Sequence, residues 1–377
     1  MNIRLKTCTI IVLASFFLSQ CSSGDDRGQN QNIADLPVLE YQTSQLIGEG
    51  EDYIPGLFYK IYRLADSSWV VSDYGSTTIE HFTADGEHHS TVAIEGDGPG
   101  EVRGFFFFHQ FSDSLVVARQ QISNKLDYFK LDARGELEAS RTISMDLGPF
   151  VWSDLLPKRP DEIIAIEQKN WFEDDVNYAA DNEYIQASVM TLNFDMEVIN
   201  DSVTTLTLPN PRIYRSPQGG VSILSVPLRS QDRILPLKNG SYWIARGLKQ
   251  RFELYNQNHE LTRSFNLSVE PRPVREEDMD FQLGILQGDR RSDLESRIPS
   301  TKPLFFNAWA ENGHILLQTD ESEEGREYVL MEQSGKLLGR FVLPNSKRVQ
   351  FLESGNLVVF HSDPEVGYTV ELVALDL

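Results

Sequence analysis

Six short apolar runs in this sequence each end in a polar or charged side chain that could contact a ligand. Arginines set among carboxylates favour a ligand that carries a carboxylate, such as a sugar acid, because a guanidinium can form two parallel hydrogen bonds with it. The alternative is that these charges pair with one another and only stabilise the fold. The six positions are Asp73, Arg119, Glu167, Arg246, Thr319 or Asp320, and His361.

Other candidate residues lie close to these positions or in insertions. The ring of Trp171 could stack on a sugar, or it could hold its own insertion against the fold. No Ser-His-Asp arrangement stands out, and only His109 and His361, on well-separated blades, could approach the central funnel, so we predict no catalytic residue and no metal site. The predicted ligand-binding residues are Asp73, Tyr74, Arg119, Glu167, Trp171, Arg246 and His361.

Two acidic clusters, at residues 173–175 and 321–324, could bind calcium. Neither cluster has the alternating oxygen-ligand spacing of a known calcium loop, so solvated surface charge is the favoured interpretation. The cofactor prediction is therefore none, with calcium as the alternative.

The six apolar runs belong to a longer repeat with four strands. A turn rich in Asp, Asn, Ser or Gly precedes each run, an apolar segment precedes that turn, and a second turn follows. The first apolar residues of successive runs are 46, 48, 79, 73 and 42 residues apart. Spacings near 45 are typical of a propeller blade, and the longer ones contain insertions. The sequence predicts an all-β fold, a six-bladed β-propeller of four-stranded antiparallel blades.

An N-terminal strand is predicted to close this propeller. The sixth repeat lacks an outer strand, and residues 37–47 can supply it, which removes an exposed sheet edge. A β-sandwich with an extra domain is the competing fold, but it does not explain six copies. The predicted blades are 57–94, 105–145, 150–208, 231–269, 303–343, and 347–377 together with 37–47.

The long insertions all fall on one face of the predicted disc. With strands A to D in each blade, the A–B and C–D turns lie on what we call the bottom face. The B–C turns and D-to-A connections, with insertions at 167–183, 209–230 and 270–302, lie on the top face. Insertions in repeat proteins tend to mark the binding face, so we predict the ligand site there. Residues 276–297 have helical spacing and are either a lid or a packed connector.

One segment of the sequence resembles a known family. Gly96–Glu101, with the sequence Gly-Asp-Gly-Pro-Gly-Glu, resembles the glycine-proline signature of six-bladed β-propeller lipoproteins of bacterial cell envelopes, which are related to NHL and TolB-like propellers. Residues 298–308 resemble the start of that family's fifth blade. The resemblance covers residues 38–377 and implies the fold without implying a particular function. The glycine segment lacks the Gly-Lys-Ser/Thr of a phosphate loop and is interpreted as a turn.

The N-terminus is typical of an export signal. Arg4 and Lys6 precede an apolar stretch at 7–18, which is too short to span about 30 Å of hydrocarbon. Leu18-Ser19-Gln20-Cys21 resembles the lipobox of bacterial lipoproteins, in which the cysteine becomes the lipidated first residue of the mature chain. We predict a signal peptide at 1–20, a flexible tether at 21–36, lipidation of Cys21 and a place in the cell envelope, at the outer membrane. Secretion with a free thiol is the alternative.

The net charge of the sequence limits the partners that the protein can have. Lys and Arg number 34 against 56 Asp and Glu, a net charge of -22 that repels phosphate backbones, so we predict no nucleic-acid partner. The leading prediction is a non-catalytic, envelope-anchored scaffold. Its top face would bind a protein, peptide or glycan, and it would touch the membrane only through its lipid anchor. The alternative is a metal-dependent propeller hydrolase or lyase, similar to the lactonases, with its site in the central funnel.

Overall fold

The computed structural model is a six-bladed β-propeller, which confirms the predicted all-β fold class. Among the residues that it describes, six antiparallel sheets of four strands are accompanied by one short hairpin and two short α-helices. Neither helix is long and apolar enough to cross a membrane. The described residues are 31–48, 53, 55–104, 106–120, 125–144, 150–159, 161–169, 182–216, 220–311, 313–353, 355–363 and 367–376.

Each blade is a meander in which consecutive strands are hydrogen-bonded neighbours. The first strand of the chain, β1 (Tyr41–Ile47), is an exception, because it joins the last blade. Blade 1 contains β2 (Phe58–Arg63), β3 (Trp69–Asp73), β4 (Thr78–Phe82) and β5 (His88–Ala93). Blade 2 contains β6 (Phe106–Ser112), β7 (Leu115–Gln120), β8 (Lys125–Leu131) and β9 (Leu137–Ser144). Blade 3 contains β10 (Phe150–Arg159), β11 (Glu162–Lys169), β12 (Tyr184–Asn193) and β13 (Val198–Pro209).

The second half of the chain carries two additions to the blades. The hairpin of β14 (Arg212–Arg215) and β15 (Val221–Leu224) precedes blade 4, which contains β16 (Asp232–Pro236), β17 (Tyr242–Arg246), β18 (Arg251–Tyr255) and β19 (Leu261–Asn266). Helices α1 (Glu276–Leu283) and α2 (Asp289–Glu295) precede blade 5, which contains β20 (Asn307–Glu311), β21 (His314–Ser322), β22 (Gly325–Glu332) and β23 (Leu337–Leu343). Blade 6 contains β24 (Lys347–Glu353), β25 (Asn356–Asp363), β26 (Gly367–Leu375) and the returning β1.

Apolar clusters fill the gaps between neighbouring blades. Val70 and Ile79 of blade 1 pack with Phe106 and Val116 of blade 2, and equivalent clusters lie in the other five gaps. A blade is therefore covered on both sides, and all five residues of β3 are buried. This explains why each B strand is a continuous apolar run with no polar alternation.

The ring closes as the sequence predicts. Strand β1 pairs antiparallel with β26, from Tyr41 opposite Leu375 to Ile47 opposite Val370. Ile47 is completely buried in the cluster between blades 6 and 1. At Gly86, in the C–D turn of blade 1, φ is +89° and a Cβ atom would lie 2.5 Å from the carbonyl oxygen of Leu46. Only glycine therefore lets this turn pack against the closing strand.

The glycine segment Gly96–Glu101 forms a closed turn between blades 1 and 2. A parallel bridge joins Glu95 to Val102, and the Gly98 amide donates to the Glu101 carboxylate at 2.7 Å. The Lys125 ammonium donates to the Gly98 carbonyl at 2.9 Å. The amide and the carbonyl of Gly98 are thus both hydrogen-bonded within the protein, as expected of a turn.

Candidate functional site

An axial cavity of about 790 Å³ lies at the centre of the ring. Residues of all six inner strands line it, and so do Ser67, Asp113, Asn239 and Gly313 from the A–B turns. The cavity therefore reaches the bottom face, opposite the face that carries the insertions. Its volume falls in the range of about 300–1,000 Å³ that is usual for ligand pockets.

Ion pairs between different blades cross the mouth of this cavity. The ammonium of Lys238 in blade 4 lies 2.9 and 3.1 Å from the two carboxylate oxygens of Glu353 in blade 6, and 3.6 Å from Glu311 in blade 5. Arg63 of blade 1 approaches the same Glu353 carboxylate at 3.6 Å. Burial lowers the pKa of Lys238, but Glu353, Glu311 and Asp113 outweigh it and the pKa is raised. Lys238 is therefore a cation held across the opening by carboxylates.

Carboxamide, aromatic and charged residues line the cavity together, and the rings of Tyr62, Trp309 and Phe351 also pack against the clusters between blades. Carboxamides both donate and accept hydrogen bonds, and aromatic rings offer flat apolar faces, a combination that suits a ligand rich in hydroxyl groups. The residues that line this cavity were not among the candidates predicted from the sequence, because those candidates came from the ends of the B strands and from the insertions. Polar residues inside the apolar inner segments were the signal that could have found it. The carboxamides are Gln110, Asn239, Asn307, Gln333 and Gln350, and the aromatic residues are Tyr62, Trp309 and Phe351.

Asp73, the first predicted site residue, is fully buried and organises the start of blade 1. Its carboxylate accepts hydrogen bonds from the amides of Gly56, Leu57 and Gly75 at 2.7–2.8 Å and from the Tyr53 hydroxyl at 2.9 Å. Neighbouring Tyr74 donates to the carbonyl of Phe106. Both side chains are used within the protein, and their predicted contact with a ligand stays a prediction.

Arg119 is also buried, with 2% of its surface exposed. Its guanidinium lies 4.5 Å from the centre of the Phe107 ring, a cation–π contact. His109 is buried nearby, and burial, followed by the charge of Arg119, holds the pKa of this histidine well below its usual value. The structure thus places Arg119 in the interior of the protein.

Arg246 connects blades 3 and 4 at the top face. Its guanidinium bonds to Asp232 and Glu253, each at 3.0 Å, and donates to the carbonyl of Thr205 at 2.6 Å. Burial lowers the pKa of Arg246, but its hydrogen bonds to Glu253 and Asp232 outweigh that effect and raise it. These contacts agree with the alternative interpretation of the sequence, in which the charges at the strand ends pair with one another and stabilise the fold.

His361 lies in a similar network in blade 6. Its Nδ1 atom is 2.8 Å from the carboxylate of Glu371, which also accepts from Lys347 at 2.6 Å and from Thr43 at 2.8 Å. Burial raises the pKa of Glu371, but Lys347 and Thr43 outweigh it and lower the pKa. Because Thr43 belongs to β1, this network also stabilises the closure of the ring.

The remaining predicted positions are less constrained. Glu167 is half-buried near the end of β11, and burial raises its pKa. Trp171 and the lipidation site Cys21 lie outside the described residues. Within the described parts of the chain, no three His, Asp or Glu side chains come together in a way that could hold a metal ion. The described site residues lie in five blades: Asp73 and Tyr74 in blade 1, Arg119 in blade 2, Glu167 in blade 3, Arg246 in blade 4 and His361 in blade 6.

The insertions before blades 4 and 5 pack together into what we call the cap, residues 212–226 and 275–298 without 217–219. Leu283 of α1 and Leu294 of α2 are buried against Val226. The Asp293 carboxylate accepts from the Tyr214 hydroxyl at 2.7 Å, from Arg297 at 3.0 Å and from Arg212 at 3.1 Å. These contacts indicate that residues 276–297 form a packed connector between blades 4 and 5. Burial raises the pKa of Asp293, but the three hydrogen bonds lower it to about 2.

The cap is expected to stabilise the protein less at low pH. The carboxylate titrates near 3.9 in an unfolded chain and near 2 in the native one, so its contribution is complete above about pH 5 and is lost as the pH falls towards 2. Asp293→Asn should therefore lower the urea midpoint at pH 7, and the difference from the parent should shrink at pH 3. Asp289→Asn, on an exposed residue of the same helix, is the control. If the difference in urea midpoint between the parent and Asp293→Asn is the same at pH 7 and pH 3, the hydrogen bonds assigned to the Asp293 carboxylate would be contradicted.

Comparisons with known proteins support the fold. No protein-family model and no curated protein matches the chain. A solved structure from Bacteroides fragilis, named as a "putative exported protein", is similar over 92% of this chain and 99% of its own, with a TM-score of 0.54 and 11% identity. A member of the DUF4221 family from Bacteroides vulgatus has a TM-score of 0.47 and 9% identity over 90% and 99% of the two chains. Virginiamycin B lyase from Staphylococcus aureus has a TM-score of 0.43 and 9% identity over 90% and 100%. At such identities the first of these likenesses shows the propeller fold, and none shows an activity.

Proposed function

We propose that this chain is a β-propeller lipoprotein of the bacterial cell envelope that binds a glycan in its axial cavity and does not transform it. The observation that carries the proposal is the cavity of about 790 Å³ with its carboxamide and aromatic wall. Of the three predicted partner classes, a glycan suits this lining best, because sugar hydroxyl groups need both donors and acceptors.

The contacts at the two faces favour the cavity over the top face as the ligand site. Asp73 and Arg119 are buried and Arg246 is largely covered, and all three already contact groups of the protein that a ligand would have to replace. At the cavity mouth, the side chain of Lys238 is 65% exposed. Its partner Glu353 is only 12% exposed, so a ligand is expected to bind beside this ion pair and not to replace it.

Export and lipid anchoring form the second part of the proposal. Arg4 and Lys6, the apolar stretch at 7–18 and the lipobox-like Leu18–Cys21 support it, and so does the name of the structure from Bacteroides fragilis. Mass spectrometry of the mature protein tests it, since a diacylglycerol or triacyl mass on an N-terminal Cys21 is expected. An unmodified Cys21 would contradict this part alone.

Glycan binding in the cavity is expected to depend on Trp309 and Gln350. The purified protein is screened on an array of bacterial-envelope and host oligosaccharides, and the best binder is measured by calorimetry. Trp309→Ala removes an aromatic face and Gln350→Ala a hydrogen-bonding amide, and each should weaken binding about tenfold or more, a loss of about 1.4 kcal/mol.

Gln42→Ala makes the same amide deletion on the exposed outer strand β1 and should leave the affinity unchanged. Trp309→Phe keeps a ring and separates loss of contact from loss of folding. Binding that survives both cavity substitutions, or an array without any binder, would contradict the proposal. A metal-dependent hydrolase or lyase stays the alternative prediction, and metal analysis of the purified protein tests it.

A further inference from the structure

We propose that the top face of the anchored propeller rests on the membrane, with the loop between α1 and α2 in contact with lipid and the cavity mouth turned away. This inference rests on the proposed lipidation of Cys21. It reverses the sequence-based prediction that the insertion-bearing face is presented to a partner.

The first observation is the position of Gln31, the first described residue. The Gln31 amide donates to the carbonyl of Ser268, and the Gln31 carbonyl accepts from the Glu270 amide. Ile33 is 4% exposed in the cluster between blades 4 and 5. The N-terminal segment is thus fixed at the start of the connection from blade 4 to blade 5.

This starting point lies on the top face. Residues 267–306 connect the D strand β19 to the A strand β20, and such connections lie on the top face. A small cavity of about 210 Å³ brings Ile33 next to Gln250, which belongs to the B–C turn of blade 4 and so to the same face. The chain before Gln31 therefore joins the propeller at the top face, close to residue 275, where the second segment of the cap begins.

The second observation is Ile285, in the loop between α1 and α2. Its side chain is 95% exposed, more than any other large hydrophobic residue among those described. Leu283 and Leu286, on either side, pack into the cap. Single exposed apolar residues are common on protein surfaces, but at a lipid interface the burial of this isoleucine would be worth about 1.5–3 kcal/mol. A lipid interface accepts such a side chain, and Ile285 would have to supply the contact by itself, because the helices on either side carry more acidic than basic residues.

The length of the tether connects the two observations. Ten residues separate Cys21 from Gln31 and span at most about 35 Å. Blade strands of five to twelve residues make the disc about 17–40 Å thick. A propeller lying on its bottom face would use most of that length to pass the edge of the disc. A propeller lying on its top face uses little of it, so the cap is the part held closest to lipid.

Site-specific fluorescence on the acylated protein tests this orientation. Acylation occupies Cys21 and removal of the signal peptide removes Cys8, so each variant carries one thiol. Gln287→Cys labels the exposed loop and keeps Ile285, and Ser334→Cys labels an exposed C–D turn on the bottom face. Each variant carries an environment-sensitive NBD dye and is inserted into phosphatidylcholine–phosphatidylglycerol vesicles that contain a nitroxide-labelled lipid.

The dye at position 287 is expected to shift to the blue and to be quenched, whereas the dye at position 334 stays as in solution. Adding Ile285→Asp to the 287 variant should abolish the quenching while the protein stays on the vesicles. The Cys21→Ser protein gives the solution reference.

Two different failures can be distinguished. A protein that does not associate with vesicles overturns the lipidation of Cys21 and the orientation with it. A protein that is anchored but shows equal quenching at both positions, or quenching at 334 alone, overturns the orientation only. An anchored protein without quenching at 287 likewise overturns it, and a protein partner then becomes the expected cover for Ile285.

Discussion

Ile47→Asp is expected to open the ring of blades and to cause one of the two largest losses of stability that we predict for a single substitution. Ile47 is the last residue of the closing strand and is completely buried between blades 6 and 1. A carboxylate there has no described cation beside it, and an unpaired buried charge costs at least about 4 kcal/mol. Thermal and urea unfolding of the purified protein measure the loss.

Leu46→Asp is the matched control for this experiment. Leu46 is the neighbouring residue on the same strand, but successive side chains of a strand point to opposite faces, and Leu46 is 37% exposed. Because part of the Leu46 side chain is covered, the same substitution should lower the free energy of unfolding by no more than about 1.5 kcal/mol, well below the loss expected for Ile47→Asp. Similar losses for the two variants would show that the closing strand does not have the register described above.

Asp73→Ala is the second substitution with a large expected effect, and it tests whether this residue serves the fold or a ligand. The substitution leaves the amides of Gly56, Leu57 and Gly75 without their acceptor. Hydrogen bonds to a charged acceptor are worth about 1.5–3 kcal/mol each, and water can reach the amides of the exposed Leu57 and Gly75, so we expect a total loss of at least about 3 kcal/mol. Urea unfolding at pH 7 provides the measurement.

Asp85→Ala, on an exposed turn of the same blade, removes an equal charge and should leave stability within about 0.5 kcal/mol of the parent. The stability of Asp73→Asn should fall between those of Asp73→Ala and Asp85→Ala, because the amide oxygen of asparagine can accept only some of the hydrogen bonds that the carboxylate accepts. If Asp73→Ala folds as stably as the parent but loses glycan binding, the ligand role predicted from sequence is correct and the structural one is wrong.

The fold was predictable because it repeats. Apolar B strands such as residues 69–71 and 115–117 recur with a turn before each of them, and six copies of one pattern outweigh the ambiguity of any single copy. The closing strand was predictable for a related reason, since five complete blades and one incomplete blade leave only one role for residues 37–47. Both inferences depend on local patterns and on counting, which a single sequence contains.

The candidate site was predictable only in part. The B-strand ends were recognisable as polar, but Arg246 contacts Asp232 and Glu253 because strands β16 and β18 flank β17, a pairing that only the folded sheet specifies. The axial cavity depends on how far six inner strands stand from one another. No spacing along the chain contains that distance.

The sequence by itself determined the number of blades, the closure of the ring and a strongly acidic surface, because these follow from repeated local patterns and from composition. Only the tertiary structure decided which charges are used within the protein, which face the cavity reaches, and that Gln31 and Ile285 lie on the opposite face. The physical reason is that such properties arise from contacts between blades. Residues such as Lys238 and Glu353 are 115 positions apart along the chain and meet only when the ring has formed.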